Sequence, residues 1–358
     1  MARKVDGLFD QIANFGALMQ ATQRAAAGRR RQPEVAAYLA HQEHHALRLA
    51  EALTDGTWRS GPYRRIVVHE PKERLVSAAP FADRVVHHAL CGVIGPIFER
   101  GFVADSFANR TGMGTHRAVA RYEHFRSRHA HVLRCDIWRY FPAIDHAVLK
   151  ADIGRRIACA PTLVLCGHLI DGSNPQEPVA RYFAGDDLFS PFERRRGLPI
   201  GNLTSQWFGN IYLDAMDHFV KEVLRAPGYV RYVDDFALFH DDPLLLAQWR
   251  SRLDDFLARR RLLLHPRKTM IEPTAMPALF LGYVLHPTHR ALAPGNVLRF
   301  RQRLARMRKD WRSGAIDLID VQRRVGAWIA HARHADTWRL RRALFRGGMF
   351  DPALSSGC

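Results

Sequence analysis

Hydrophobic and polar positions follow two different periods along this chain, and they divide it into helical ends and a strand-bearing middle. Residues 1–56 are rich in helix formers, and "RQPEVAAYLAHQEHHALRLAEALTDG" predicts helices that end at Gly56. Residues 61–79 predict two short strands around a turn. From 80 to 125 the helical pattern returns, interrupted by the glycines of "NRTGMGTH".

The second half of the chain alternates strands and helices before it becomes helical again. A strand is predicted at 131–136, a loop at 172–196, a long helix in "GNLTSQWFGNIYLDAMDHFVKEVL" and a hairpin at 229–239. An amphipathic helix in "PLLLAQWRSRLDDFLARRRLLLH" and one short strand in "FLGYVLHP" follow. After Pro294 two apolar stripes predict two helices. The stripes are Phe300, Leu304, Met307 and Trp311, and then Val321, Val325, Trp328 and Ile329.

Two neighbouring acids interrupt the hairpin segment "GYVRYVDDFALFHDD". Asp234 and Asp235 are predicted at the tip of a strand–turn–strand unit whose flanks are apolar. An exposed turn would explain two such residues, but acids emerging from a buried sheet repel each other unless a cation lies between them. Mg²⁺ is the expected ion because it prefers hard oxygen ligands and keeps room for water and phosphate.

A metal site of this kind needs a further carboxylate. Asp136 is the best candidate because it ends an apolar strand, and the backbone carbonyl of Ile137 is a candidate ligand beside it. Asp145 competes, but a helix cap explains it adequately. Three carboxylates that hold two metals about 4 Å apart are typical of in-line nucleotidyl transfer. The "GDD" that begins at Gly185 is rejected as catalytic because no strand–turn–strand frame surrounds it.

Composition points to a polyanionic partner. The 358 residues carry 53 Lys and Arg against 35 acids, a formal net charge of +18, and the basic residues recur along the whole chain. Nucleic acid is the expected partner, while a basic enzyme without one stays an open alternative. Five cysteines without a C-x-x-C pair favour a reducing compartment. Because no signal peptide or transmembrane run is found, a cytoplasmic protein that does not contact membranes is expected.

Five segments, in order, resemble the reverse transcriptase family: "CDIWRYFPAID", "GLPIGNLTSQWFGNIYLDAMD", "RYVDDF", "LHPRKT" and "FLGY". The resemblance implies an α+β right-hand polymerase with an antiparallel palm sheet backed by helices and a helical thumb. It divides the chain into an N-terminal helical extension (1–60), fingers (61–130), a palm (131–288) with a fingers insertion near 150–196, and a thumb with a C-terminal tail (289–358).

The resemblance also assigns roles to single residues. Asp136, Asp234 and Asp235 match the acids that bind two Mg²⁺ ions, with Mn²⁺ as an alternative, and Ile137 lies beside them. Phe141 matches the aromatic sugar gate that excludes a 2′-hydroxyl, although a core Phe is its ordinary interpretation. Lys268 matches the lysine proposed to protonate pyrophosphate, and a surface lysine is the alternative.

The basic residues of the predicted fingers and thumb match contacts to dNTPs and nucleic acid. Lys72 and Arg74 match finger residues that grip the triphosphate, where a solvated turn is the alternative. Arg110, beside the glycines of "NRTGMGTH", is predicted to contact nucleic acid. The predicted thumb helices would contact an RNA–DNA hybrid through Arg301, Arg308, Lys309 and Arg312. A solvated charged face is the alternative, and the overall positive charge favours contact. A zinc site in "HQEHH" is a weaker interpretation than a basic helix face.

The third segment departs from a common family pattern. Ile200 precedes Gly201 where many members have Gln, and Gln206 replaces a Pro, which gives "IGNLTSQ". This variant resembles the enzymes of diversity-generating retroelements, as do "NRTGMGTHRA" and "WIAHARHADTWRL". That resemblance implies error-prone copying of a dedicated template RNA with dNTPs, and help from a small basic accessory protein.

Two other functions stay open at this point. The first is a defence-associated, antiviral reverse transcriptase that copies its own noncoding RNA. The second is a catalytically idle RNA-binding scaffold on a polymerase fold, which the intact acids disfavour.

Overall fold

The computed structural model describes residues 4–69, 73–173 and 181–346. The helical start predicted from the sequence is confirmed. Its elements are α1 (Phe9–Ala13), α2 (Phe15–Ala26), α3 (Pro33–Ala40) and α4 (Gln42–Thr54). The apolar side of α2, with Leu18 and Ala21 fully buried, packs against the long helix α5 (Phe81–Glu99).

Two short antiparallel strands lie between these helical regions, as predicted. They are β1 (Arg64–Val68) and β2 (Arg74–Ala78), with Arg64 opposite Ala78 and Val68 opposite Arg74. Every residue of β1 is exposed, whereas β2 is mostly part-buried, so β1 is the outer strand of this hairpin. After α5 the chain crosses the glycine-containing loop and enters α6 (Thr115–Arg126).

A four-stranded antiparallel sheet forms the centre of the molecule. Its strands are β3 (His131–Asp136), β4 (Gly228–Tyr232), β5 (Asp235–His240) and β6 (Met270–Pro273), in the order β4-β5-β3-β6. Side chains from both faces are buried: Leu133 and Leu238 belong to one apolar core, and Val132 and Phe239 belong to another. Because successive strand residues point to opposite faces, burial on both sides explains the nearly continuous apolar runs in these strands.

Helices cover the first of these faces. They are α7 (Tyr140–Ala143), α8 (His146–Gly154), α9 (Ala160–Asp171), α10 (Ser190–Glu193), α11 (Leu203–His218), which continues into a π-helical turn (Phe219–Val223), and α12 (Pro243–Arg259). The predicted loop at 172–196 therefore contains one short helix within its described part. The predicted α+β architecture, with an antiparallel sheet backed by helices, is confirmed.

The short strand predicted in "FLGYVLHP" is confirmed as β8 (Tyr283–Leu285). It lies between two strands that were not predicted, β7 (Ala278–Phe280) and β9 (Arg290–Leu292), in a three-stranded sheet. Leu281 and Gly282 lie between β7 and β8 with φ of +48° and +87°. Two consecutive positive φ values make a tight hairpin turn, and the glycine adopts this conformation at little cost.

The C-terminal region is helical, and it contains one more helix than predicted. Its helices are α13 (Pro294–Arg312), α14 (Leu318–Ala332) and α15 (Trp338–Phe345). The predicted stripe on α13 buries Phe300, Leu304 and Met307, and the Phe300 ring stacks on Trp328 of α14 with 3.8 Å between ring centroids. Within the described ranges, no helix combines the length and the apolar run needed to cross a bilayer.

Candidate active site

The fold brings the three predicted acids together. Pairing of β3 with β5 places Asp136 directly opposite Asp235, and the Ile137 amide donates to the carbonyl of Asp234 at 3.2 Å. The hairpin turn itself consists of Val233 and Asp234, because Tyr232 pairs with Asp235. The predicted tip was therefore wrong by one residue, since Asp235 already belongs to β5.

Burial and mutual repulsion act on these carboxyl groups. Burial, and then the negative charge of Asp136, raises the pKa of Asp234 to about 6. Burial and the two neighbouring acids also raise the pKa of Asp235 well above that of an ordinary Asp, and its carboxyl shares a hydrogen bond with Asp136. Burial already makes a negative charge costly here, and each ionised carboxylate makes ionisation of its neighbours costlier still.

Lys268 adds a positive charge to this cluster. Its ammonium donates to Asp136 Oδ2 at 2.5 Å, and the Asp136 backbone carbonyl accepts from the amide of His265 at 2.7 Å. The segment after α12 therefore lies alongside the end of β3. The prediction that places Lys268 in the site agrees with this geometry.

The donor set suits a divalent cation. Among the described residues, no group of three or more His, Cys, Asp or Glu side chains is arranged so that it could already hold a metal ion. The carboxylates of Asp136, Asp234 and Asp235 nevertheless adjoin one another, with raised pKa values that a cation would relieve. Hard oxygen donors of this kind fit Mg²⁺ or Mn²⁺. The backbone carbonyl of Ile137, the residue after Asp136, stays a predicted further ligand.

The predicted nucleotide-binding residues in the described ranges lie on β2, on α7 and at or just before the start of α11. Arg74, at the start of β2, is exposed, and its charge acts to lower the pKa of Asp234. Phe141 is half-buried in α7, and its ring faces the backbone of α11 at Gly209. Gln206 is exposed in the first turn of α11. Lys72 lies outside the described residues.

Ile200 and Gly201 connect α11 to the β1–β2 hairpin. The Ile200 carbonyl accepts from the Ser77 amide at 2.9 Å. Gly201 has φ of +112°, and a Cβ atom there would lie 2.7 Å from Val76 Cγ1. Sequence reasoning missed Asn202, whose amide donates to the Ser77 carbonyl at 2.8 Å and whose oxygen accepts from Ala79 at 3.3 Å. The only sequence signal that Asn202 would join α11 to the β1–β2 hairpin was its position directly after Ile200 and Gly201.

Comparison with known proteins identifies the family. Residues 69–285 match the family described as reverse transcriptase (RNA-dependent DNA polymerase), more than half of the 358 residues. The chain belongs to the reverse transcriptase family. It is also 24% identical over 181 residues to Protein YkfC of Escherichia coli (strain K12), which covers 49% of this chain and 45% of that protein. The chain therefore spans about half the length of this curated relative.

Solved telomerase structures resemble this chain at low sequence identity. Telomerase from Candida albicans, in complex with a fragment of telomeric RNA, has a TM-score of 0.46 and 14% identity, covering 66% of this chain and 46% of that one. Apo telomerase from Candida tropicalis has a TM-score of 0.49 and 11% identity, covering 64% and 48% respectively.

The other acidic candidates have structural partners in this reverse transcriptase family member. Asp145 caps α8 by accepting from the amides of Ala147 and Val148, as the sequence predicted. In the "GDD" string, Asp186 pairs with Arg194 and Arg261, and Asp187 accepts from Ser190. The rejection of this string as the catalytic site agrees with these contacts.

The predicted nucleic-acid contacts divide into two groups. The prediction for Arg110 is not supported, because its side chain is only 6% exposed and its guanidinium is hydrogen-bonded within the protein. It donates to Glu99 at 2.8 Å and to the carbonyls of Val103 and Ser106. The basic residues predicted on α13 lie at least partly in solvent; they are Arg301, Arg308, Lys309 and Arg312.

Proposed function

We propose that this chain is an RNA-directed DNA polymerase that extends a primer 3′-end with dNTPs. The proposal depends on one observation: Asp136 from β3 and Asp234 and Asp235 from the β4–β5 hairpin lie together, with raised pKa values at the hairpin. These three acids would hold two Mg²⁺ ions. When bound, the ions would supply charge neutralisation for the triphosphate and activation of the 3′-hydroxyl.

The chain's own residues would position the substrates around the acids. Arg74 would bind the triphosphate from the β1–β2 hairpin, together with Lys72. The Phe141 ring would lie under the sugar and exclude a 2′-hydroxyl. Lys268 would donate a proton to the leaving pyrophosphate. The exposed basic residues of α13 would hold the phosphate backbone of an RNA–DNA hybrid.

The finer proposal is the error-prone enzyme of a diversity-generating retroelement, working in the cytoplasm with a small basic accessory protein. It is supported by Ile200, which presents a hydrocarbon side chain where Gln would offer hydrogen bonds near the nascent base pair. Because the backbone of this segment is fixed to β2, the side chain at 200 is held in a defined place. Weaker geometric selection of the incoming base would follow.

Polymerase activity is tested by Asp234→Asn. We expect nucleotide incorporation on an RNA template to fall below detection, because the amide removes a negative ligand without changing size. RNA affinity should stay close to that of the wild-type protein. The matched control is Asp187→Asn, the same change in the rejected "GDD" string, which should retain wild-type incorporation. Synthesis by the Asp234 variant would remove this site assignment, and an inactive wild-type protein would favour the idle scaffold.

The fidelity proposal is tested by Ile200→Gln. Restoring a hydrogen-bonding side chain should lower misincorporation opposite template adenine several-fold, roughly the effect of one added hydrogen bond. The error spectrum is measured by sequencing cDNA made on one defined RNA. Ile319→Gln, a change at a 73% exposed site on α14, is the control and should leave errors unchanged. Equal error spectra for the wild-type and Ile200→Gln enzymes would contradict the proposal.

The retroelement role is tested by sequencing the RNA that co-purifies with the protein. We expect one dedicated RNA whose near-copy elsewhere in the same genome differs mainly at template adenines. A single structured noncoding RNA without such a near-copy would favour the defence role instead.

A further inference from the structure

Arg231 is completely buried, with no exposed side-chain surface, and it lies on β4 three residues before Asp234. It is the largest of the fully buried side chains in the described part of the chain. A guanidinium that leaves water is costly unless charged and polar partners replace its hydration. The partners of Arg231 therefore show what this charge contributes to the fold.

Asp217 and Asn210, both on α11, accept most of the hydrogen bonds that the Arg231 guanidinium donates. The Arg231 Nε and one terminal nitrogen donate to the two carboxylate oxygens of Asp217 at 2.7 and 2.6 Å. The Tyr229 hydroxyl donates to the same carboxylate at 2.6 Å. The other terminal nitrogen donates to Asn210 Oδ1 at 3.2 Å. The planar fork of the guanidinium is thus fixed against α11 in one orientation.

The same terminal nitrogen also donates to the hairpin turn, at 3.0 Å from the carbonyl oxygen of Val233. Val233 has φ of +58°, a conformation that β-branched residues rarely adopt. The next carbonyl, that of Asp234, accepts from the Ile137 amide on the opposite side. Two successive carbonyls of the turn are therefore fixed, one by Arg231 and the other by the end of β3.

We propose that Arg231 is a positioning residue, which holds the strained Val233 turn so that Asp234 faces Asp136 and Asp235. This inference rests on the proposed polymerase function. Asp217 and Asn210 orient the guanidinium, and the guanidinium fixes the turn. The charge at 231 acts through backbone geometry and makes no contact with substrate.

The first test compares Arg231→Met with Arg260→Met. Arg260 is a matched control because it is also buried, pairs with Asp152 and donates to an α11 carbonyl, that of Tyr212, but does not contact the hairpin. We expect kcat of Arg231→Met to fall roughly 100-fold, the scale of a misplaced catalytic group, with KM for dNTP little changed. Arg260→Met should lose thermal stability to a similar degree and keep a kcat near that of the wild-type enzyme.

Two further measurements separate positioning from general loss of structure. Mn²⁺ affinity, measured by electron paramagnetic resonance with primer–template bound, should weaken in Arg231→Met and not in Arg260→Met. Adding Val233→Gly to Arg231→Met should restore part of kcat, because glycine adopts positive φ without strain. If Arg231→Met does not fold, Arg231→Lys keeps the charge but cannot donate to Asp217 and the Val233 carbonyl in the same fork geometry. Arg231→Lys should then show the same losses of kcat and Mn²⁺ affinity.

The outcomes distinguish this inference from the proposed function. A folded Arg231→Met or Arg231→Lys with wild-type kcat and Mn²⁺ affinity would overturn the positioning role and leave the polymerase proposal intact. An inactive wild-type protein would overturn the polymerase proposal, and unchanged Mn²⁺ affinity in the Arg231 variants would then still overturn the positioning role.

Discussion

The Lys268 ammonium lies 2.5 Å from Asp136 Oδ2, and this contact permits two different roles. An ion pair alone would hold Asp136 in place, and arginine would replace lysine well. A general acid must also release its proton in the transition state, which arginine cannot do in proteins. The two roles therefore predict different behaviour for one conservative substitution.

We expect Lys268→Arg and Lys268→Met to lower kcat for single-nucleotide incorporation by a similar factor, roughly 100-fold. Affinity for primer–template should not change. Lys221→Arg serves as the control, because Lys221 also pairs with a buried carboxylate, Asp105, at 3.2 Å. A Lys268→Arg enzyme that works at the wild-type rate would show that the ion pair is the whole contribution of this residue.

Among the elements, the segment that leads into α11 is joined to β2 by the hydrogen bonds of Ile200 and Asn202. Gly201→Ala should disturb it, because the backbone has φ of +112° and the added methyl would lie 2.7 Å from Val76 Cγ1. We expect a stability loss of about 1–3 kcal/mol and a raised KM for dNTP, since Arg74 is carried on β2. Gly28→Ala, at φ of +72° with no atom within 4 Å of the new methyl, tests strain alone and should leave KM unchanged.

The local pattern of hydrophobic and polar residues predicted most of the helices and strands. It could not predict contacts between segments that are far apart in the sequence. The positions of α2, α5, α11 and β3 follow from periodicity that each segment carries in its own residues. Strands of three residues, such as β9, are too short to show a period, and α15 was missed for a similar reason. Asn202 bonds a strand more than a hundred residues away, and no local pattern encodes such a contact. Asp136 could be chosen as a partner of the hairpin acids because it ends an apolar strand, but its register opposite Asp235 is a long-range contact that no local pattern encodes.

At the scale of the whole molecule, the C-terminal helices contact the central body through histidines. His116 on α6 stacks on His334, with 3.4 Å between ring centroids. The Tyr283 hydroxyl, from β8, lies 3.2 Å from His116 Nε2 and 3.0 Å from His331 Nδ1 on α14. Burial, reinforced by neighbouring positive groups including Arg290 for His116, lowers the pKa of both His116 and His331. The imidazoles of His116 and His331 are therefore favoured in their uncharged form at this junction.

Acid should therefore loosen this junction before it unfolds the sheet. Because the folded-state pKa values are lowered, the unfolded state binds more protons, so this stabilisation is present above about pH 6.5 and is lost as the pH falls below it. We expect primer–template affinity to decrease between pH 7.5 and 5.5, and Tm to drop by roughly 2–4 °C more than in His116→Gln, which cannot be protonated there. His41→Gln, at the exposed residue directly before α4, is the control and should keep the wild-type dependence on pH. If His116→Gln and the wild-type protein lose affinity in parallel as the pH falls, the junction between the C-terminal helices and the central body does not depend on protonation of His116.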